Sequence, residues 1–292
     1  MTRLQAGDLE ASIDGGDLLT ITSLRHRGEE LLLDPRALPP AYRVHGRRAG
    51  ITLLHPWANR LGDDAYTAAG VAARVPAGDP AVSRDPHGLA IHGLALADAW
   101  RVTTAASAEA QAVARFAEHP AFPYTHELSV AFTLDADSLT VITELRGAGE
   151  RAVPVAFGWH PYFVLPHAER AAWRLELPPR RHLPFDARGL PDGPAREEPA
   201  EAQALGDRTF DDGYDGLSDD AVLGLSGGGR AIRIALLEGY PAAQVFAPPD
   251  ADVVALEPMT AVTDALRTGR GLEATAPGRT ARATFSVRVV DE

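Results

Sequence analysis

Apolar and polar residues alternate along several stretches of this chain with the period of two that is typical of half-buried β-strands. In residues 128–134 large apolar side chains occupy every second position, and residues 139–145 resume the alternation. Residues 135–138 between them read Asp-Ala-Asp-Ser, which favours a turn, so the two stretches predict an antiparallel hairpin. Residues 281–289 alternate in the same way, which predicts that the chain closes with a strand inside a sheet.

Further strands are predicted at 17–24, 29–33, 100–105, 152–159, 229–237 and 242–247. Residues 103–118 are rich in alanine and compatible with a helix, but the alternation around Ala112, Ala114 and Phe116 favours a strand. Six prolines within residues 178–205 predict an irregular crossing loop.

Long, capped helical patterns are missing from the sequence, and glycine or proline separates many of the strand-like stretches at short intervals. This arrangement favours an all-β fold, a large antiparallel β-sandwich, over an alternating α/β fold. All-β sandwiches of this size often form one unit, so residues 1–292 are expected to form a single domain.

The composition narrows the range of partners. The formal net charge of −12 opposes binding to phosphate backbones and to anionic lipid, so we expect neither a nucleic-acid nor a membrane partner. The absence of cysteine excludes disulfides, thiolate catalysis and cysteine-bound zinc. The first residues lack the apolar segment of a secretory signal, and no run approaches the ~18 apolar residues of a membrane span, so a cytoplasmic location is expected.

Two segments place hydrogen-bonding side chains beside a proline or a glycine. The segment His-Pro-Trp-Ala-Asn-Arg at 55–60 offers an aromatic face from Trp57 and donors from Asn59 and Arg60, a mixture that suits a sugar. In the second segment, His92 stands beside Gly93, where a ligand could approach the backbone closely. The alternatives are a core tryptophan, a surface arginine and a histidine satisfied by local hydrogen bonds. No metal-ligand spacing such as HExxH is present, and we expect no metal.

Three further residues are candidates for chemistry. His160 stands among aromatic residues that include Trp159, and its imidazole can donate or accept a proton near neutral pH. Glu257 follows the apolar run 253–256, where a carboxylate is costly to desolvate unless it is paired. Asp211 belongs to an Asp-Asp-Gly sequence that is also ordinary turn chemistry. The alternative for His160 is a satisfied histidine in an aromatic cluster.

Taken in order, these segments resemble the aldose 1-epimerase (galactose mutarotase-like) family. Each family element is short, but four of them follow one another at family-like separations between His55 and Thr260. The matching elements are Pro56 to Arg60 followed by Gly62, Tyr66 and Gly70; His92-Gly93 followed by Trp100; Gly158 to Phe163; and Glu257 to Thr260.

The resemblance implies a cofactor-free β-sandwich enzyme with a shallow sugar site, in which Glu257 is the general base and His160 the general acid. Arg60 and His92 then contact the sugar near its ring oxygen and neighbouring hydroxyls. Asp211 is the candidate for hydroxyl binding, with Asp212 and Asp215 as competitors. The segments that contain Asn59 and Trp159 supply further substrate contacts.

The implied activity is interconversion of the two anomers of a free aldose such as glucose or galactose, with the acid and the base on opposite sides of one sugar. Ile91 replaces the asparagine that commonly precedes the His-Gly element, and no arginine follows that element before Arg101, which favours unphosphorylated sugars. Arg60 and Arg84 nevertheless leave a sugar-phosphate substrate open. Two different functions also stay open, a non-catalytic carbohydrate-binding or sensing module and a glycoside hydrolase that uses Glu257 and Asp211. The protein is expected to be a monomer or a homodimer.

Overall fold

The computed structural model describes residues 1–39, 42 and 49–292 of the chain. These residues form mainly β-strands, together with a 3₁₀ turn at Arg170–Ala172 and a short helix α1 at Ala265–Thr268. The strands are β1 (Thr2–Ala6), β2 (Leu9–Asp14), β3 (Thr20–His26), β4 (Glu29–Glu30), β5 (Ile51–Leu54), β6 (Ala65–Ala68), β7 (Val71–Arg74), β8 (Val82–Arg84), β9 (Ala90–Leu94), β10 (Arg101–Ala106), β11 (Glu109–Phe116), β12 (His126–Leu134), β13 (Ser138–Gly147), β14 (Val153–Val155), β15 (Gly158–Phe163), β16 (Arg174–Leu177), β17 (Arg180–Leu183), β18 (Arg196–Glu198), β19 (Glu201–Ala204), β20 (Phe210–Asp215), β21 (Ala221–Gly227), β22 (Arg230–Glu238), β23 (Ala242–Ala247), β24 (Val254–Met259), β25 (Glu273–Thr275) and β26 (Thr280–Asp291).

Two large antiparallel sheets carry most of these strands. The first sheet has the order β1-β2-β3-β5-β15-β24-β23-β20-β17-β18, with β4 paired to β3. The second sheet has the order β10-β11-β12-β13-β26-β22-β21-β16-β19. The pairs β14-β25, β6-β7 and β8-β9 form small separate ribbons.

The core lies between the two large sheets. Trp159 of the first sheet packs against Phe132 and Phe285 of the second, with ring centroids 6.3 and 5.9 Å away. All three side chains are fully buried, and a continuous cluster of apolar residues surrounds them. The predicted large antiparallel β-sandwich is therefore confirmed.

Several strand predictions are confirmed in detail. The predicted hairpin is β12-β13, with Leu134 opposite Leu139 next to the turn. The closing strand β26 lies between β13 and β22. The alanine-rich stretch 103–118 forms the end of β10 and all of β11, so the choice of strand over helix is also confirmed. Alternation was a reliable signal here because each of these strands buries one face only.

The prediction of an irregular loop over 178–205 is wrong in part, since β17, β18 and β19 lie within it. The prolines fall between these strands and do not interrupt them. The strands are short and carry many charged residues, and Arg180 of β17 pairs with Glu198 of β18 and Glu201 of β19. Their pairing is decided by tertiary partners at the sheet edges, which local alternation does not report.

Among the described residues, no helix is long and apolar enough to cross a membrane.

Candidate active site

His160 and Glu257 lie opposite each other on neighbouring antiparallel strands at the middle of the first sheet. The flanking pairs Gly158–Met259 and Tyr162–Ala255 fix the register that brings them together. Their side chains point away from the core, and His160 Nε2 lies 3.2 Å from Glu257 Oε1. Both are almost fully buried, with 4% and 2% of their surface exposed. A buried carboxylate beside an imidazole gives a proton donor and a proton acceptor in one place.

On the same face of the sheet, further polar residues lie on both sides of this pair and form a row with it. Thr52 on β5 is opposite His160, and its hydroxyl contacts that of Thr20 on β3 at 3.2 Å. Gln244 on β23 is opposite Glu257 and is itself almost fully buried. Buried polar residues aligned across five strands are unusual, since each costs free energy unless its hydrogen bonds are made. This buried polar row therefore marks the site on the first sheet.

A second row of residues on this face lies next to the first row. Tyr162 stacks on the ring of His160, with centroids 4.2 Å apart and planes at 19°. Across the sheet, Phe246 on β23 faces Asp211 on β20 in register. Gln244 Nε2 donates to Asp211 Oδ1 at 2.7 Å, which joins the two rows. Aromatic faces beside polar groups suit the alternating C–H and hydroxyl surface of a sugar.

One wall of the pocket is built from a reciprocal contact between Asn59 and His92. The backbone N–H of Asn59 donates to His92 Nδ1 at 3.1 Å, and the backbone N–H of His92 donates to the Asn59 carbonyl at 2.9 Å. Because Nδ1 is an acceptor, the neutral ring carries its proton on Nε2 and presents a donor. Both residues adopt left-handed backbone conformations, with φ of 57° and 62°. Such conformations are costly for side chains other than glycine and are concentrated at functional sites.

The residue after His92 must be a glycine because of its backbone conformation and its close contact with His55. Its φ is +80°, and a Cβ at this position would lie 2.0 Å from the carbonyl oxygen of His55. The close approach forms the parallel bridge between His55 and Gly93 and lets Leu94 N–H donate to the His55 carbonyl at 2.8 Å. The glycine therefore joins the His92 strand to the segment that carries Asn59 and Arg60.

Arg60 is the cation of the pocket among the described residues, and two carboxylates hold it. Its Nε donates to Asp85 Oδ2 at 2.8 Å, and its NH2 lies 3.4 Å from Asp211 Oδ2. The backbone of Arg60 is held separately, because its carbonyl accepts the N–H of the buried residue Asp264 at 3.0 Å. Arg60 is thus fixed at both its main chain and its guanidinium.

These residues enclose one cavity of about 220 Å³. It opens on the outer face of the first sheet, above β15, β24, β23 and β20. Its lining residues are Tyr42, Asn59, Arg60, Asp85, Pro86, His87, Ile91, His92, His160, Tyr162, Asp211, Phe246 and Glu257. Of the site residues predicted from the sequence, the structure brings together all but one. Those in the cavity are Glu257, His160, Arg60, His92, Asp211 and Asn59.

The exception is Trp159, for which the prediction of a substrate contact is wrong. Trp159 is fully buried on the core face of β15, and its Nε1 donates to Thr143 of the second sheet at 3.1 Å. Successive residues of a strand point to opposite sides, so Trp159 cannot share the face of His160. Trp57 is likewise buried in the core and does not line the cavity.

The structure also separates the three aspartates of β20. Asp211 lines the cavity, whereas Asp212 contacts His182 Nε2 at 3.2 Å on the other face. Burial raises the pKa of Asp212, and His182 partly opposes this increase. Asp215 lies further along the strand and pairs with Arg181 and Arg270. Asp211 is the one of the three in position to bind a hydroxyl.

The acid and the base, which are expected on opposite sides of one sugar, are neighbours in the structure. The two groups are in contact on one sheet face, on adjacent strands. This arrangement still suits anomer exchange, since the hydroxyl oxygen and the ring oxygen are attached to the same carbon. Two adjacent groups can therefore each reach one of them.

Sequence reasoning missed several residues of this site, among them Asp85, Gln244 and Phe246. Asp85 precedes Pro86 in a turn, where an aspartate has an ordinary local role. Gln244 was the available signal, because it is the one polar residue in the apolar run of β23, and the structure buries it. Within the described ranges, no group of three or more histidine, aspartate or glutamate residues could hold a metal ion.

Comparison with known proteins gives a family match across most of the chain. The sequence model of the family described as aldose 1-epimerase matches residues 9–288. YphB, an uncharacterized protein of Escherichia coli K12, is 29% identical over 126 residues. That similarity spans 41% of this chain and 41% of YphB, so it covers well under two thirds of the relative.

Solved structures show the same fold over the whole chain. A galactose mutarotase related enzyme from Lactobacillus acidophilus is 18% identical, with a TM-score of 0.82 over 99% of this chain and 97% of its own. The Slr1438 protein from Synechocystis sp. PCC 6803 is 21% identical, with a TM-score of 0.77 over 100% of this chain and 96% of its own. At these identities the likeness concerns the fold alone.

Proposed function

The chain belongs to the aldose 1-epimerase family, and on that premise we propose that it interconverts the α and β anomers of an unphosphorylated aldose by acid–base ring opening. The observation that carries the proposal is the contact between His160 Nε2 and Glu257 Oε1 at 3.2 Å on the floor of the cavity. Anomer exchange needs one proton removed and one proton added at two oxygens on the same carbon, and this pair offers both functions side by side.

In the proposed reaction Glu257 accepts the proton of the C1 hydroxyl while His160 donates the Nε2 proton to the ring oxygen. The bond between C1 and the ring oxygen breaks as the C1 carbonyl forms, which gives the open-chain aldehyde. Rotation about C1–C2 turns the other face of the carbonyl toward the hydroxyl that was the ring oxygen. On closure His160 takes its proton back and Glu257 returns its proton to the oxygen on C1, so both groups are regenerated. Each general catalyst contributes roughly 10²–10⁴-fold.

The remaining cavity residues supply binding in this proposal. Arg60 and the Nε2–H of His92 are donors to sugar oxygens, and Asp211 is an acceptor for a hydroxyl. Tyr162 and Phe246 provide apolar surface for the C–H face of the ring. This mixture of a few polar groups with aromatic surface is what a site needs to orient one neutral sugar.

The preference for an unphosphorylated sugar is supported by the partners of the two arginines considered for phosphate. Arg60 is already in contact with Asp85 and Asp211. Arg84 binds both oxygens of Asp64, at 2.9 and 3.1 Å, as well as the Gly88 carbonyl, and it does not line the cavity. A phosphate at Arg84 would have to displace the Asp64 carboxylate, and a phosphate at Arg60 would be repelled by the neighbouring carboxylates of Asp85 and Asp211.

Glycoside hydrolysis is less favoured by the same geometry. Such an enzyme needs a second carboxylate that acts as acid, base or nucleophile. Both oxygens of Asp211 are in contact with other groups, Gln244 at 2.7 Å and Arg60 at 3.4 Å, which suits an acceptor held in place. A carbohydrate-binding or sensing module would use the same pocket but has no need of the Glu257–His160 pair.

The test measures anomer exchange of freshly dissolved α-D-glucose and α-D-galactose, with polarimetry or NMR as the readout. The wild type is expected to accelerate equilibration above the spontaneous rate in proportion to protein concentration. Binding of these sugars by calorimetry without any acceleration would instead support the binding module. Release of reducing sugar from an aryl glycoside would support hydrolysis.

A further inference from the structure

We propose that Asp85 is a positioning residue for the sugar site, acting through Arg60. In this role its carboxylate sets the orientation of the Arg60 guanidinium and couples it to the turn formed by residues 85–89. The consequence for a sugar ligand rests on the function proposed above, whereas the orientation of Arg60 can be tested independently of activity.

The carboxylate of Asp85 receives three donors, which define its place. Its Oδ2 accepts the Nε–H of Arg60 at 2.8 Å. Its Oδ1 accepts the backbone N–H groups of His87 and Leu89, both at 2.9 Å. The turn is closed by two backbone bonds, from Asp85 N–H to the Leu89 carbonyl and from Gly88 N–H to the Asp85 carbonyl, at 3.0 and 2.9 Å. One oxygen therefore organises the turn and the other is left for the arginine.

Burial makes this contact more consequential than an ordinary surface ion pair. The side chain of Asp85 is 2% exposed and that of Arg60 is 16% exposed. Charged groups removed from water are stable only when they are paired in good geometry, so breaking this contact costs more free energy than breaking an exposed ion pair. The nearby pair of Arg84 and Asp64 has the same chemistry with 31% and 37% exposure, and it lies outside the cavity.

The contacts around the guanidinium show what Asp85 fixes. With Nε held by Asp85, NH1 lies 3.3 Å from Asn59 Oδ1 and NH2 lies 3.4 Å from Asp211 Oδ2. Gly189 covers the group from another side, and a Cβ there would lie 2.6 Å from NH1. An arginine has five N–H donors, so each terminal nitrogen keeps a second hydrogen besides these contacts. A sugar oxygen can accept a hydrogen bond from either of these two N–H groups.

The contact with Asp85 therefore opposes the electrostatic attraction of the Arg60 guanidinium toward Asp211. Without an acceptor at Nε, the guanidinium is expected to turn toward Asp211 and form a two-point contact with it. That contact would occupy the N–H donors of Arg60 and the carboxylate of Asp211, which the site otherwise offers to sugar hydroxyls. The loss would appear as weaker binding of substrate, with a smaller effect on the acid–base step at Glu257 and His160.

The variant that isolates this role is Asp85→Asn. Its amide oxygen can still accept the two N–H groups of the turn, while its NH₂ group would face the Nε–H of Arg60. Asp64→Asn is the matched control, since it removes a carboxylate from the exposed pair with Arg84. If Asp85→Asn does not fold, as judged by thermal unfolding, Asp85→Ser provides an acceptor for the turn and serves in its place.

The first measurement follows the arginine Nε–H signals in ¹H–¹⁵N NMR spectra of the whole protein, with the Arg60 signal assigned by its loss in Arg60→Met. In wild type and in Asp64→Asn this proton is expected to be protected from exchange with water, and in Asp85→Asn the protection is expected to be lost. This readout does not need turnover. Unchanged protection in Asp85→Asn would overturn the proposal.

The second measurement is a double-mutant cycle on anomer exchange. Asp85→Asn is expected to raise KM about 10- to 100-fold, the range for a hydrogen bond to a charged group, with a much smaller change in kcat. In the Arg60→Met background the same substitution is expected to have no further effect. Equal losses in both backgrounds would show that Asp85 does not act through Arg60. A wild type without exchange activity would refute the proposed function but leave the NMR test standing.

Discussion

His55 and His126 share a hydrogen bond inside the core, with their Nε2 atoms 2.7 Å apart. Because His126 Nδ1 donates to the Tyr124 carbonyl at 2.6 Å, its Nε2 is the acceptor and His55 is the donor. Burial lowers the pKa of His126 to about 4. Burial, together with the neighbouring His126, also lowers the pKa of His55 well below its usual value. Both rings are therefore neutral in the folded protein, next to the segment that carries the site.

This pair predicts a loss of stability in acid. In the unfolded chain both rings take up protons below pH ~6.5, whereas the folded protein does so only at lower pH. The free energy of unfolding therefore falls as the pH decreases from ~6.5 toward 4, by on the order of 3 kcal/mol for His126 alone. Urea unfolding at a series of pH values measures this slope.

A double variant, His55→Phe with His126→Phe, removes both rings together, so that neither histidine is left without the other. Its stability is expected to depend less on pH over the same window than that of wild type. The exposed His87 supplies the control His87→Gln, which should keep the wild-type slope. Identical slopes in wild type and double variant would show that the pair does not control acid sensitivity.

Glu257→Gln and His160→Asn are each expected to remain folded and to lower kcat for anomer exchange by roughly 10²–10⁴-fold. Each substitution removes proton transfer while keeping a side chain of similar size. Glu144→Gln, on the second sheet and outside the cavity, is the matched control. Full activity in either site variant, measured by polarimetry, would remove that residue from the mechanism.

The pH dependence of kcat/KM is expected to be bell-shaped, because the reaction needs a deprotonated base and a protonated acid at the same time. The profile should be recorded between about pH 5 and 9, within the range where the protein remains folded. A flat profile across this range would contradict an acid–base pair of this kind.

Asp211→Ala is expected to raise KM about 10- to 100-fold, because the site loses an acceptor for a sugar hydroxyl that Gln244 and Arg60 hold in place. Asp212→Asn, one residue further along β20, changes a carboxylate that contacts His182 outside the cavity and should leave KM near its wild-type value. The reverse order of effects would assign the binding role to Asp212.

Trp159→Ala is expected to destabilise the protein by roughly 3–5 kcal/mol, since it creates a cavity between the two sheets. Trp159→Phe keeps most of the apolar volume and should retain the KM of wild type. Urea unfolding together with exchange kinetics separates the two effects. A large rise in KM without loss of stability would return Trp159 to the substrate site.

The fold was predictable where a strand buries one face against the core. The alternation in β12, β13 and β26 reports that geometry directly, and so do the positions of the turns between them. Strands β17 to β19 escaped prediction because charged residues at the sheet edges pair with partners distant in sequence. The ribbons β6-β7 and β8-β9 also escaped, since strands of three to five residues are too short for a clear period.

The sequence by itself determined the sandwich and named six of the thirteen residues that line the pocket, because those properties depend on local alternation and on short elements such as His92-Gly93 and the residues around Glu257. Only the tertiary structure decided which side of the sheet each residue faces. It placed Trp159 in the core and His160 in the pocket, on the two opposite faces of β15. Strand register then put Glu257 beside His160, and the packing of separate loops brought Asp85 to Arg60. Pairing across strands joins residues far apart in sequence, so no local pattern contains it.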